Sequence, residues 1–462
     1  MSDSVAKRSQ ASAAMVASAA KGRALMGGSD AMRQAGETYL PKFPSESLEA
    51  YRARKDSSWL FNGYRKTVRD MTGRVFDKPV ELGEEAPAAV KRWVENIDME
   101  GRDLSTFARQ VFEDAMAGPG ISFIMVDAPQ RDGDVTRAQA EAGGMRPYFV
   151  HLRVEDILGW KTATVNNATV LSQVRIMEEI KEPDPDDEFA EIATEQVRVL
   201  DRSEGGVQTR IYRKVKSKWL EVPEMASTSQ LSEITIIPFY ANRAGFFTGA
   251  PLLDDLSDVN IAHWQSQSDQ RNILHFARVP ILFAAGMTTE EGPLVISSGA
   301  ATTATDANAK LEWVEHTGKA IDAGRQDLKD LEFQMETHGL QLLVVKGQQS
   351  ATGEALDAAK ETSTLSMTAD QLKDALEQAM DWLGKYGGQT FEPSVTVNKD
   401  FGVHMMGAQE LTAMLTAVNT GNMSRETFLR EMARRGMIRS DIDVEDEIER
   451  IEAEGNVMED AE

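Results

Sequence analysis

The sequence predicts an α+β fold in which long helices flank a mainly antiparallel sheet. Three observations carry this. From Tyr148 to about Tyr240 the chain alternates with period two, in "YFVHL", "VLSQVRIM", "EQVRVL", "QTRIYRKV" and "EITIIPFY". The segments on either side repeat apolar residues at three- and four-residue spacing, as amphipathic helices do. Hydrophobic residues make up 41% of 462 positions, ample for buried cores in more than one unit.

Each element has a local reason. The N-terminal stretch places Lys7 and Arg8 before a run of Ala and Ser. Its small polar residues stand where a secretory signal needs Leu, Val or Phe, so it reads as a mobile or partly helical arm. Tyr64, Val68, Met71 and Val75 form one stripe of a helix that stops before Asp77 and Pro79. A helix over 104–117 turns Phe107, Val111, Phe112 and Ala115 inward, ends at "GPG", and leads into the strand "ISFIMVDAP". The strands beyond are punctuated by "VNNA", "DPDD", "SEGG" and "PEMAST". Acidic "EEIKEPDPDDEFAE" reads as a solvated loop and lacks calcium-loop spacing. Arg213, Lys214, Lys216 and Lys218 read as the solvated face of a hairpin.

A long helix follows over 252–278. Next comes a small module rich in Gly, Ala, Thr and Ser, and then a second helix over 321–343 with Leu328, Leu331, Met335 and Leu342 on one side. The loop "VVKGQQSATG" precedes a third long helix, 354–386, whose Leu365, Leu372, Leu376, Ala379 and Leu383 keep near-heptad spacing. "FEPSVTVNKDF" reads as a strand. The tail is helical again, with Ser424 as an N-cap and Gly436 as a stop. From residue 440 onward, 11 acidic residues face the single base Arg450, the pattern of a solvated face or frayed tail.

Composition limits function. Lys and Arg total 50 against 74 Asp and Glu, a net charge of -24, which disfavours a broad phosphate-clamping surface. There is no cysteine, so disulfide scaffolds and thiolate metal sites are excluded. No apolar run approaches the roughly 20 residues of a membrane-spanning helix. The six histidines, His151, His263, His275, His316, His338 and His404, form no short metal-ligand spacing. Neither Gly318-Lys319 nor Gly384-Lys385 completes a phosphate-binding loop, and no GxSxG elbow is present. No catalytic, cofactor or metal residue is assigned, and the expectation is a protein without enzymatic activity.

The helix over 252–278 poses a problem, because from Gln265 to Asn272 it has no large apolar residue. A helix rises about 1.5 Å per residue, so its middle is a polar waist far from either end. Gln265, Gln267, Asp269, Gln270 and Arg271 are expected to hydrogen-bond across a contact between subunits, or else to face solvent on a rod linking two lobes.

The order of these elements resembles the portal proteins of tailed double-stranded DNA bacteriophages. So do "YRARKDSSWLFNGYRKTVRDMTGRVFDKPVEL", "FARQVFEDAMAGPGISFIMVDAP", "IIPFYANRAGFFTGAPLLDDLSDVNIAHWQSQSDQRNILHFARVPILF" and "GNMSRETFLREMARRGMI", which carry the likeness by their joint order. It covers about 47–452 and leaves out the arm and the acidic tail.

The resemblance implies a protomer with an arm (1–46), a wing of helices and sheet (47–250), and a first stem helix (251–278). A clip (279–319), a second stem helix (320–345), a tunnel loop (346–353), a helix and strand (354–406) and a helical crown with acidic tail (407–462) would follow. It further implies a ring, typically of twelve copies, at one capsid vertex of a virion made in the host cytoplasm. Double-stranded DNA would pass through without sequence readout. Partners would be the major capsid protein or a scaffold, the terminase large subunit and a head-tail adaptor. Lys346, Gln348, Gln349 and Ser350 would lie nearest DNA, and Thr288, Thr289, Glu290 and Glu291 would face the terminase and adaptor. A ring-forming adaptor or collar protein, or a hydrolase with an acidic cleft, are the rival readings.

Overall fold

Side-chain caps set where many of the helices begin. Ser9, Ser47, Asn62 and Asp103 each accept a hydrogen bond from the backbone N–H three residues on, at 3.3, 3.1, 2.8 and 2.7 Å. In the computed structural model of the chain, the residues described are 4–129, 145–278, 281–285, 308–314, 318–340, 351–399, 408–434, 446–448 and 450.

Among them the helices are α1 (Gln10–Ala35), α2 (Leu48–Ser57), α3 (Gly63–Val75), α4 (Ala88–Trp93), α5 (Leu104–Met116), α6 (Asp254–Ala277), α7 (Lys319–Met335), α8 (Ala351–Tyr386), α9 (Ala408–Asn419) and α10 (Arg425–Arg434). The strands are β1 (Glu81–Leu82), β2 (Ile121–Asp127), β3 (Tyr148–Leu152), β4 (Ile157–Val165), β5 (Ala168–Pro183), β6 (Glu191–Ser203), β7 (Gly206–Val215) and β8 (Lys218–Glu221). They continue with β9 (Ser227–Ser229), β10 (Ile236–Tyr240), β11 (Arg243–Gly245), β12 (Thr248–Gly249), β13 (Ile281–Ala285), β14 (Lys310–Val314) and β15 (Val395–Thr396).

The alternating region divides between two sheets. β4-β5-β6-β7-β8 is an antiparallel meander, with β9 added against β7. β10 leaves it and joins β2 and β3 in the order β10-β2-β3, with Phe123 opposite both Pro238 and Leu152. Alternation shows which side chains share a face, not which strand lies alongside. The unbroken burial of Ile121–Val126, with Ser122 the one polar residue among them, marks β2 as the central strand, buried on both faces. Half of the acidic stretch expected as a loop is strand, because β5 and β6 pair out to Pro183↔Glu191 and leave 184–190 as the turn.

One core joins α1, α3, α5, the root of α6, α8 and the inner face of β2-β3-β10. The heptad positions of α8, Leu365, Leu372, Leu376, Ala379 and Leu383, all lie within it. A second core sits between the first half of α1 and the two sheets.

Of the two readings of the arm, mobile or partly helical, the structure shows a helix, and it belongs to both cores. Ser12, Met15, Ala19, Gly22, Leu25, Gly28 and Met32 form the buried face of α1. Gly22 allows the close approach, since a Cβ there would meet the Ala117 carbonyl oxygen at 2.3 Å. The segment before α1 is also fixed. Arg8 donates to the carbonyls of Ile157 (2.7 Å) and Glu155 (2.5 Å), and Arg175 donates to those of Val5 (2.6 Å) and Lys7 (2.8 Å).

Candidate functional site

The α6–α7 pair is where the sequence placed its main site. The root of α6 is core: Leu253, Leu256, Asn260, His263 and Trp264 are buried. Asn260 satisfies a neighbouring helix start, accepting from the Tyr64 N–H (2.9 Å) and donating to the Phe61 carbonyl (2.8 Å). α7 then returns antiparallel to α6. His263 faces Glu332 (3.4 Å), Ser266 donates to Asp327 (2.5 Å), and Gln270 donates to the Ile321 carbonyl (2.8 Å). Gly324 leaves room there for the Gln270 side chain, because a Cβ would lie 2.1 Å from its Oε1.

The polar waist finds partners within its own chain. Gln265 donates to the Tyr39 carbonyl (3.0 Å). Gln267, with its amide oriented to suit its neighbours, accepts from Trp59 Nε1 (2.9 Å) and donates to the Trp59 carbonyl. Ser268 meets Ser58 (2.9 Å), and Asp269 lies 3.6 Å from Arg54. Arg54 is itself buried, paired with Glu46 through bonds of 2.8 and 2.9 Å, and stacked over Phe43 at 4.3 Å. Gln265, Gln267 and Asp269 thus have partners within the chain, Gln270 Oε1 is buried without a hydrogen-bond partner among the described residues, and of the five only Arg271 is exposed. Helical period gives the direction of a face but not the element that covers it; here the arm, α2 and α7 do so.

Burial governs the charges. It pushes the Asp269 carboxyl up, against the pull of Arg54. It pushes the His263 imidazole down, against the hydrogen bond and charge of Glu332. Hydrogen bonding from Arg54 holds the Glu46 carboxyl low.

Cover thins toward the far end. Among α7 residues only Met335 is fully buried, Leu328 and Leu331 are half-buried, and Phe333 is 57% exposed beside exposed Arg325, Lys329 and Asp330. An open groove of about 390 Å³ runs between the helices, with Asp269 and Asp327 at its sides and Ile273 and Leu331 along it. At the end stands the ribbon β13–β14, which pairs Leu282 with Trp313 and Ala284 with Leu311 on one face; Trp313 is 55% exposed. The tunnel-loop residues Lys346, Gln348, Gln349 and Ser350 lie outside the described residues. So do Thr288, Thr289, Glu290 and Glu291, and Leu342 of the expected second-helix stripe.

Sequence reasoning missed a buried polar cluster where α1, α5, β2 and β3 meet. Asp114 receives Arg23 (2.7 Å), Arg153 (3.3 Å), Ser122 (3.0 Å) and His151 Nε2 (3.5 Å), and Arg23 also grips Glu155 (2.9 Å). Burial alone would raise the Asp114 carboxyl, but hydrogen bonding from His151 and the charge of Arg23 outweigh it and hold it low. Ser122 Oγ also lies 2.8 Å from His151 Nε2. This is not the geometry of a nucleophilic triad, in which the carboxylate holds the imidazole nitrogen opposite the hydroxyl. Here both sit at Nε2, and Ser122 has no exposed surface. The charge at Asp114 on the apolar face of α5, seven residues after Phe107 and three after Val111, was the available signal.

Among the described residues no cluster of His, Cys, Asp and Glu has the arrangement to hold a metal, and no helix is long and apolar enough to cross a membrane.

Comparison with known proteins gives a family model, a domain of unknown function (DUF4055), that matches residues 251–387, from the root of α6 to the end of α8. No curated protein matches. The chain is similar to a chain in the virion of a native gene transfer agent particle, with TM-score 0.39, 8% identity, and coverage of 78% of this chain and 85% of that one. It is also similar to a chain in the neck of a native gene transfer agent particle computed with C12 symmetry, with TM-score 0.41, 8% identity, and coverage of 86% and 96%.

Proposed function

We propose that this chain is a portal-type subunit. Copies assemble head to tail into a ring at one vertex of a virion, and double-stranded DNA passes through the centre. The observation that carries this is the α6–α7 pair: rooted in the core at one end, it ends in a two-stranded ribbon and, among the described residues, is covered by its own chain on one side only. Phe283 and Trp313 of the ribbon are 49% and 55% exposed. A two-stranded ribbon is marginal alone in water. Neighbours in a closed ring supply cover that a monomer lacks.

The element order supports the same reading, since a helix, a ribbon, an antiparallel return helix and a long core helix succeed one another. Charge supports it too. Every phosphate neutralised by Lys or Arg adds affinity, so a chain of net charge -24 suits a wall past which DNA slides. In this reading the chain guides DNA passively, and the terminase, the adaptor, and the capsid protein or scaffold dock on it.

The mass of the purified chain tests the ring. Twelve copies of a 50.9 kDa chain weigh about 0.6 MDa, whereas a monomeric rod linking two lobes stays at one copy. Alanine at Lys346, Gln348 and Gln349 tests the channel: rings should still form, while DNA packaging or retention falls. A collar without a central loop would be indifferent to that change.

A further inference from the structure

The outer end of the β5–β6 hairpin has no explanation in the channel. Pairing to β4 ends at Ile176 and pairing to β7 ends at Gln196, so the five rungs from Glu179↔Glu195 to Pro183↔Glu191 stand free of the sheet. At about 3.4 Å per residue this arm reaches roughly 17 Å, plus its turn. Like charges face each other at Glu179 and Glu195, which is unfavourable. Residues 178–195 hold nine carboxylates against one base, Lys181.

The turn is nonetheless built. The Asp184 N–H donates to the Ala190 carbonyl (2.9 Å), and the Ala190 N–H donates to that of Asp187 (3.1 Å). Asp187 Oδ1 also accepts from the Phe189 N–H (3.0 Å). This scaffold holds Phe189 out at 91% exposure. Exposing one large aromatic on an ordered, acidic tip costs solubility and suits a peg.

The complement lies on the same sheet. The β7–β8 turn carries exposed Lys214, Lys216 and Lys218, none of which meets a carboxylate among the described residues, and beside them Val215 and Leu220 are 50% and 48% exposed. The two tips emerge at the same end of the meander, and one pair, Arg213–Glu182 (2.9 Å), joins the hairpins within the chain. The arm outreaches the basic turn, so the tip and Phe189 are not matched to their own lysines. A head-to-tail ring joins two different surfaces of adjacent copies, and these two are opposite in charge and both partly apolar.

We propose that the acidic β5–β6 tip, with Phe189 as its anchor, docks on the basic β7–β8 hairpin of the adjacent copy and ties the subunits together away from the channel. This rests on the ring reading above.

The absence of native cysteine makes the test direct. Full-length chains carrying Asp187→Cys and others carrying Lys216→Cys are co-assembled in equal amounts and treated with a short bis-maleimide, with the mass of the particles recorded in parallel. A covalent dimer should appear in the mixture, at up to about a quarter of contacts for random head-to-tail mixing, and not with either variant alone. Reversal of Lys214 and Lys218 to Glu in the chain that carries Lys216→Cys should abolish it, and added salt should weaken it. Ring-sized particles without a mixed crosslink overturn the tie and leave the ring standing. A crosslink from Asp187→Cys alone overturns it in favour of a tip-to-tip contact. Loss of both particles and crosslink removes the tie together with the ring.

Discussion

α8 and α7 are neighbouring helices of one chain with opposite fates. In α8 the positions Leu365, Leu372, Leu376, Ala379 and Leu383 are sealed by α3, α5 and the inner sheet. In α7 the comparable stripe, Leu328 and Leu331, is only half-buried against α6, and Phe333 on the other side meets solvent. α6 spans both regimes, since Trp264 is core while Arg271 and His275 are exposed. Burial in the body is complete within one copy; along the pair it is not. The stability of the fold therefore belongs mainly to the body, and the proposal gives the pair the role of assembly.

The sharpest way to break this comparison is to injure the root. Trp264→Ala removes a large side chain with no exposed surface and should cost about 3–5 kcal/mol in denaturant unfolding. A cost below about 1 kcal/mol would mean that the root is not core. A step outward, Gln267→Ala removes the waist's bonds to Trp59 and should cost about 1 kcal/mol; no change would return the waist to an intersubunit role.

pH probes the α6–α7 contact. The imidazole of His263 titrates below its ordinary value of 6.5 in the fold, so the unfolded chain takes up the proton first. Its contribution is intact above that value and is lost as pH falls below it. A stability–pH curve should bend downward there, and His263→Gln should flatten that bend. The smallest effect on folding belongs to the outer face: Phe333→Ser should shift unfolding by less than about 0.5 kcal/mol yet weaken assembly.

Much of this was legible in the sequence. Predicted helices at 252–278 and 104–117 are observed as Asp254–Ala277 and Leu104–Met116, the second set by strong periodicity and its Asp103 cap. The docking of the arm was not legible as an apolar stripe, because the small residues Ser12, Ala19, Gly22 and Gly28 interrupt Met15, Leu25 and Met32 on its inward face. Ser12, Met15, Ala19, Gly22, Leu25, Gly28 and Met32 nevertheless recur three or four apart, and that spacing is a helix-contact signal independent of hydrophobicity. Strand partners failed for a different reason: β10 alternates like its predecessors, and only the two-sided burial of β2 draws it away. The waist was legible as polar but not as satisfied, since its partners Tyr39, Trp59 and Arg54 lie about two hundred residues upstream.

The central claim is that the α6–α7 pair completes its cover with other copies of itself around an opening. Class averages from electron micrographs of the purified full-length chain address it most directly. The account predicts annular particles with a central hole and a flared outer rim. Single compact particles of one chain at every concentration would contradict it.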